Sequence, residues 1–244
     1  TDEGVFFSKL NQTNIFPEFS LALEVSTQDL PGRTTGIAGY ADKLILSKRG
    51  RLFYSYGQGP DNLGGGASFS TFEEVPGVGG AIDGKSMHVN SAGLHFQSDK
   101  GMFVLDGGLN TVNFGASYED ETASNTVLKT LSPVDSESIR YVMSTGILSY
   151  DTHFQTWSLD TSTELVPIDA AIYNNAFCIL TASKLLRENK TVWQDDAVDY
   201  DIEIQTGWIT LAGLSGYQRL YRIFVVMDNH TPYNGKISLA YDYG

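Results

Sequence analysis

Residues 93–105 read GLHFQSDKGMFVL, and this stretch decides the fold class. Gly93 to Gln97 and Met102 to Leu105 are short runs rich in apolar and aromatic side chains. Ser98-Asp99-Lys100-Gly101 between them carries turn chemistry, because Ser and Asp hydrogen-bond the local backbone and Gly reaches left-handed conformations. The stretch reads as two strands joined by a tight turn. The same pattern recurs three times: Asp42 to Leu46 and Arg51 to Tyr56 around Ser47-Lys48-Arg49-Gly50, Ser138 to Met143 and Ile147 to Tyr150 around Ser144-Thr145-Gly146, and Ala176 to Leu180 and Lys184 to Glu188 around Thr181-Ala182-Ser183. The turn markers Gly50, Gly101, Gly146 and Ser183 are spaced by roughly 37 to 51 residues, which brackets the blade period of a β-propeller. A blade hides its apolar face only against neighbouring blades. The expected fold is therefore all-β, a partial or complete β-propeller with blades of antiparallel strands. A generic antiparallel sandwich with hairpins at similar spacing is the alternative. Helical spacing is scarce: the best window, Ala182 to Glu188, is too short to stand alone as a helix.

The rhythm breaks after Trp193. Asp195 to Asp201 forms an acidic connection, followed by three expected strands at Ile202 to Leu211, Arg219 to Met227 and Lys236 to Tyr243. The domain expectation is thus 1–194 as propeller-like blades and 195–244 as a smaller C-terminal antiparallel β unit. Within that unit Ile223 to Met227 is continuously apolar and is expected to be covered on both faces. The chain also reads as a fragment. It starts at Thr1, stops inside the alternating run Ile237 to Tyr243, and shows few repeats for a closed ring, which suggests blades missing at the amino end.

Composition narrows the function classes. The 244 residues carry 29 acidic against 16 basic side chains, a net charge of -13, which argues against a clamp that grips nucleic acid through Lys and Arg and against docking on an anionic membrane. The 41% hydrophobic content supports a real core. The one cysteine, Cys178, excludes an intrachain disulfide framework, and its place between Phe177 and Ile179 reads as a buried, inert thiol. No run approaches the ~18 apolar residues of a membrane helix.

The search for chemistry assigns no catalytic, cofactor-binding or metal-ligating residue, and no cofactor. His88, His95, His153 and His230 stand apart with no metal-site spacing, and His95 reads as a strand residue rather than a ligand. Gly64-Gly65-Gly66 lacks the cation of a phosphate loop and reads as a sharply turned or flexible loop. Asp42, Asp99, Asp106 and Asp151 sit near turns or strand ends, where Asp bonds the backbone, rather than forming a glycosidase pair. The cluster Asp195, Asp196, Asp199, Asp201 and Glu203 lacks the glycine and spacing of an EF-hand and reads as a charged linker face rather than a calcium site. The sequons at Asn11, Asn189 and Asn229 decide nothing without evidence of secretion.

Three stretches in order carry a resemblance. GQGPDNLGGG (57–66), followed by Phe69 and Phe72, resembles a "G-x-G-P-D-N-x-G" loop of short-tailed bacteriophage tail proteins. SAGLHFQSDKGMFVLD (91–106) is similar to that family's "D-G-x-x-F-Q-S-x-x-G-x-Y-x-L-D" blade, with Ser91-Ala92 in place of its Pro-Asp turn. TGWITLAGLSGYQRL (206–220) resembles its "T-x-W-I-x-L-x-G-x-Q-G-F-Q-R-V" element, with Ser215 in place of a Gln, and Tyr241-Asp242-Tyr243 resembles its closing "Y-D-Y". The family is the tail nozzle, also called the packaged-DNA stabilisation or tail tubular protein. The resemblance implies a β-propeller plus a smaller β-domain. It also implies a virion protein made in the bacterial host cytoplasm. Six copies would form a ring below the portal or adaptor, alongside other tail proteins, in a channel that retains and then passes double-stranded DNA. No enzyme mechanism and no membrane contact are implied. An acidic wall fits such passage, because a duplex carries one charge per ~1.7 Å of axis and a basic wall would hold it.

Two rival functions stay open. One is a propeller-based glycan- or host-receptor-binding module, for which Tyr40, Tyr54, Tyr56 and Trp157 would supply an aromatic platform if they are not core and interblade filler. The other is a glycoside hydrolase on the same scaffold.

Overall fold

The computed structural model describes residues 4–9, 16–77, 79–133, 137–161, 166–189 and 191, with short stretches at 202–204, 222–225 and 236–240. The chain divides into two compact units, Thr1–Asp196 and Ala197–Gly244. The three strands expected in the second unit lie, apart from those short stretches, outside the described residues. One expectation there needs correcting. Ile223, Phe224 and Val225 are 43%, 80% and 57% exposed, so these three described residues of the apolar run are not covered on both faces. An apolar run records a demand for cover, and the described residues of this chain do not meet it.

The first unit is all-β, as the repeated strand–turn–strand pattern requires. Its strands form five antiparallel sheets in chain order. The first sheet pairs β1 (Gly4–Ser8) with β2 (Phe19–Ser26). The second is β3 (Thr34–Tyr40), β4 (Lys43–Lys48), β5 (Arg51–Tyr56) and β6 (Glu73–Glu74). The third is β7 (His88–Asn90), β8 (Gly93–Ser98), β9 (Gly101–Leu105) and β10 (Thr111–Asn113). A short helix, α1 (Glu119–Ser124), precedes the fourth sheet of β11 (Val127–Leu131), β12 (Ser138–Met143), β13 (Gly146–Asp151) and β14 (Thr156–Asp160). The fifth is β15 (Asp169–Tyr173), β16 (Ala176–Leu180) and β17 (Leu185–Arg187). Sheets two to five are meanders in which each strand pairs with its neighbour in sequence.

The four stretches singled out in the sequence are the second and third strands of these meanders. The turns between them close where the backbone turns left-handed: Gly50, Gly101 and Gly146 have φ of 84°, 113° and 153°. A side chain at Gly146 would also collide with the Asp160 carbonyl oxygen, so this position needs glycine twice over. The turn from β15 to β16 puts both Asn174 and Asn175 at positive φ, the type I′ geometry that matches strand twist and that Asn tolerates.

From the second sheet to the fifth, each sheet packs on the next. Ile45 and Leu52 of the second sheet meet Leu94, Phe96, Phe103 and Leu105 of the third. Met102, on the opposite face of the third sheet, joins Ile139, Tyr141, Met143 and Leu148 of the fourth. Val142 and Ile147, on the fourth sheet's other face, meet Ala170, Phe177 and Ile179 of the fifth. Strand alternation makes this possible, since odd and even residues of one strand serve two different cores. All six residues of β8 are buried, as a strand covered on both faces must be.

Polar side chains tie these layers where one sheet hands the chain to the next. Ser47, one residue before the end of β4, accepts the Ala81 N–H at 2.7 Å as the chain approaches the third sheet. Gln97 holds the corresponding place in β8. Its Nε2 donates to the Thr122 and Asn125 carbonyls, both at 2.7 Å, and its Oε1 accepts the Val127 N–H at 2.8 Å. Gln97 is 1% exposed, and Thr122 and Val127 are buried with it, whereas Asn125 is half-buried. Gln97→Leu would keep the volume and remove the partner of two carbonyls and one N–H. We expect it to lower unfolding stability by about 3 kcal/mol in a denaturant titration, far more than a Leu change at exposed Gln58.

Candidate functional site

In an antiparallel meander the first-to-second and third-to-fourth turns share one end of the sheet, and the second-to-third turn takes the other. The ends of successive sheets coincide, because Gln97 beside the second turn of the third sheet meets Val127 at the entry to the fourth. The first end gathers acidic residues: Asp42 in the β3–β4 turn, Asp61 between β5 and β6, Asp106 between β9 and β10, Glu137 ahead of β12, and Asp151 at the end of β13. The second-to-third turns carry Arg49 and Lys100 beside Asp99, and Asp160 and Asp169 stand at that end of the fourth and fifth sheets.

Most of the acidic group is engaged with backbone. Asp61 Oδ1 accepts the N–H groups of Leu63 and Gly65 at 2.9 and 2.8 Å, and the Asp61 and Gly65 backbones also bond at 2.8 Å. This gives the 57–66 loop a sharply turned form. Asp106 Oδ1 accepts from Gly108 and Asn110, both at 2.8 Å, and Asp151 Oδ1 accepts from His153 and Phe154, both at 2.9 Å. The backbone N–H of Gly65 holds Asp61, and that of Asn110 holds Asp106, below the usual carboxylate range. A glycosidase acid needs the opposite shift, so Asp106 suits turn closure and fixed charge rather than proton donation. Asp42 and Asp99 likewise occupy turns, as the sequence suggested.

His95 is a strand residue facing the third–fourth junction, 2% exposed. Asn90 Oδ1 accepts the backbone N–H groups of Ala92 and Gly93, which identifies it as an oxygen. The His95 Nε2 at 3.1 Å must then carry the proton and donate to it. Nδ1 is left bare and accepts from the Tyr141 hydroxyl at 3.1 Å. Burial holds the imidazole down at about 4, with His88 adding to the effect. Burial also drives the Tyr141 hydroxyl well above its ordinary range. Both groups stay neutral at pH 7, and the triad acts as a polar strut between two sheets.

The other expectations resolve as follows. Cys178 is buried in β16. Tyr40 and Tyr54 pack against the second–third core, and Tyr54 donates to Glu73. Trp157 touches Phe114, Tyr118, Tyr141 and Tyr150, with centroid separations of 5.3, 5.8, 5.9 and 4.7 Å, and its indole N–H donates to the Phe114 carbonyl. These three are filler. Tyr56 alone of the four is more than half exposed, 6.5 Å from the Tyr54 ring. Of the acidic cluster read as a charged linker face only Glu203 falls among the described residues, and it is exposed. Among the described residues no group of three or more His, Cys, Asp or Glu is placed to hold a metal ion.

One concavity is missing from the sequence reading. A groove of about 370 Å³ lies on β13 and β14, floored by Ser149, Thr156, Ser158 and Asp160 and bounded by Arg140 and Glu188. Arg140 donates to Glu188 Oε1 at 2.8 Å and lies 4.6 Å over the Phe177 ring. The signal was present as alternating hydroxyl and acidic residues in ILSYD and TWSLD, but only pairing register brings them onto one face.

The His95 shift fixes a pH dependence. A histidine whose pKa is ~6.5 unfolded and about 4 folded leaves the unfolded chain binding more protons between those values. Its contribution is complete above pH 6.5 and is lost as pH falls towards 4, by about 3 kcal/mol. His88, lowered chiefly by its burial and further by Lys129, adds in the same direction. Unfolding titrations at pH 7 and pH 4 should show this loss, and His95→Gln should flatten it whatever its effect at pH 7. Set against known proteins, the chain matches no family model, and no curated protein matches it.

Proposed function

We propose that this protein is a non-enzymatic structural component of a short-tailed phage tail. On this reading the second to fifth sheets are successive β-propeller blades, and the protein forms part of a ring-shaped channel below the portal. The supporting observation is serial architecture: consecutive antiparallel meanders, each sharing an apolar core with its neighbour in sequence. Of the resemblance motifs, those at 206–220 and 241–243 lie outside the described residues, and the other two fall within the second and third sheets. GQGPDNLGGG is the connection between the third and fourth strands of the second sheet, and SDKG is the central turn of the third.

The chemistry of the described residues is consistent with a scaffold. Gln97, His95, Asp61 and Asp106 are engaged in holding backbone and layers. The acidic turn end would present fixed negative charge to passing DNA, and a like-charged wall does not trap a polyanion. Because backbone N–H groups depress Asp61 and Asp106, these two stay ionised even in mild acid.

Cryo-EM of the protein mixed with portal particles tests the assembly. Sixfold density on the portal is the expected result, with mass photometry reporting the same stoichiometry. A persistent monomer that ignores the portal but binds host glycans saturably would replace this reading with the receptor-binding one.

A further inference from the structure

Sheets two to four carry four strands each, whereas the fifth has three, and no described strand pairs with the outer edge of β17. The ladder between β16 and β17 uses alternate residues. Glu188 N–H donates to the Phe177 carbonyl at 2.8 Å, and Thr181 N–H donates to the Lys184 carbonyl at 2.9 Å. Leu186, opposite Ile179, shares that orientation. Leu185 and Arg187 lie between these positions, so their N–H and C=O groups point away from β16. An edge of this kind is a template for another strand. Beside it lies the groove on β13 and β14, with Glu188, the residue after β17, as its wall.

We propose that the β17 edge and this groove form a docking site for an extended segment of another protein, one that alternates cationic and apolar residues. The inference does not rest on the tail reading. Main-chain bonds to Leu185 and Arg187 would supply the attachment, and side-chain alternation would supply the selectivity. Residues of the added strand that point inward meet Ser149, Ser158 and Asp160, with Asp151 at one end. The lining carries Asp151, Asp160 and Glu188 against Arg140, so it is hydroxyl-rich and net acidic, and it favours Lys or Arg. Residues that point outward extend the row of Leu180 and Leu185, which are 44% and 71% exposed, and apolar side chains there would remove surface from water on both partners.

The test uses the full chain and a short capped peptide alternating lysine with valine, with a glutamate–valine peptide of equal length as control. Titration should show saturable binding of the lysine peptide, and NMR-detected hydrogen exchange should show the Leu185 and Arg187 amides slowing as it binds. Arg187→Pro removes one outward N–H and spares the β16 ladder, so it should weaken binding roughly tenfold. Asp160→Asn should weaken the lysine peptide severalfold by removing inward charge, and it provides a second variant should Arg187→Pro disturb the sheet. The proposal is overturned by equal binding of the two peptides, by binding that neither substitution weakens, or by no binding at all. Leu185 and Arg187 amides already protected in the free protein would equally overturn it, since the edge would then be occupied by the protein's own chain.

Discussion

The architecture depends on how one sheet holds the beginning of the next, and Gln97 shows the device at its fullest. An apolar face can slide over another with little penalty, because the hydrophobic effect is non-directional. A buried amide that must satisfy two carbonyls and one N–H cannot slide. Gln97 grips the backbone at Thr122, Asn125 and Val127, the residues that lead the chain out of α1 and into the fourth sheet. Ser47 does less at the previous junction, taking a single N–H from Ala81. At the junction after the fourth sheet, Val142 stands one residue before the end of β12 and packs against the fifth sheet, and the tie there is the half-exposed Arg140–Glu188 ion pair at 2.8 Å rather than a buried bond to backbone. The joints thus differ in specificity although the meanders are alike. The most constrained joint lies between the two sheets that share the most buried strand.

The second polar contact at that joint works by a different principle. His95, Tyr141 and Asn90 form a chain in which every proton is assigned by its neighbour, beginning with two backbone N–H groups on the Asn90 oxygen. A buried polar network is stabilising only while every member is satisfied. Neutral imidazole meets that condition here and imidazolium does not, which is why a histidine in this place is a strut and not a proton carrier.

What the sequence disclosed follows from which forces are local. The second and third strands of each meander were legible because both faces bury residues and a tight turn joins them. GLHFQSDKGMFVL states all of this in thirteen letters. The outer strands were not. His88–Asn90 and Thr111–Asn113 are three residues each and half exposed, so pairing alone makes them strands and no periodicity could announce them. The helix α1, EDETAS, has no apolar stripe and is held by its surroundings, including the Gln97 bond to Thr122. The turn role of the aspartates was legible, because Asx bonding is a local property. The groove was not, since Ser149, Ser158 and Asp160 share a face only once β13 and β14 are in register. That Trp157 is filler and not a platform was decided for the same reason: only the fold brings four aromatic rings around it.

The net charge of -13 gains meaning from where some of it sits. Asx turns explain why Asp61, Asp106 and Asp151 occupy one end of their sheets, but turn geometry does not require the charge. Asn90 makes the same bonds to Ala92 and Gly93 at the same end of the third sheet while staying neutral, and Asn174-Asn175 closes a type I′ turn in the fifth. Asparagine would therefore serve at the aspartate positions with the loop geometry intact. Mutual repulsion among like charges at one end carries a small cost that Asn would avoid. The choice of Asp over Asn at these turns is thus a property of the surface, separable from the fold, and it follows the direction expected of a wall that must not bind a polyanion.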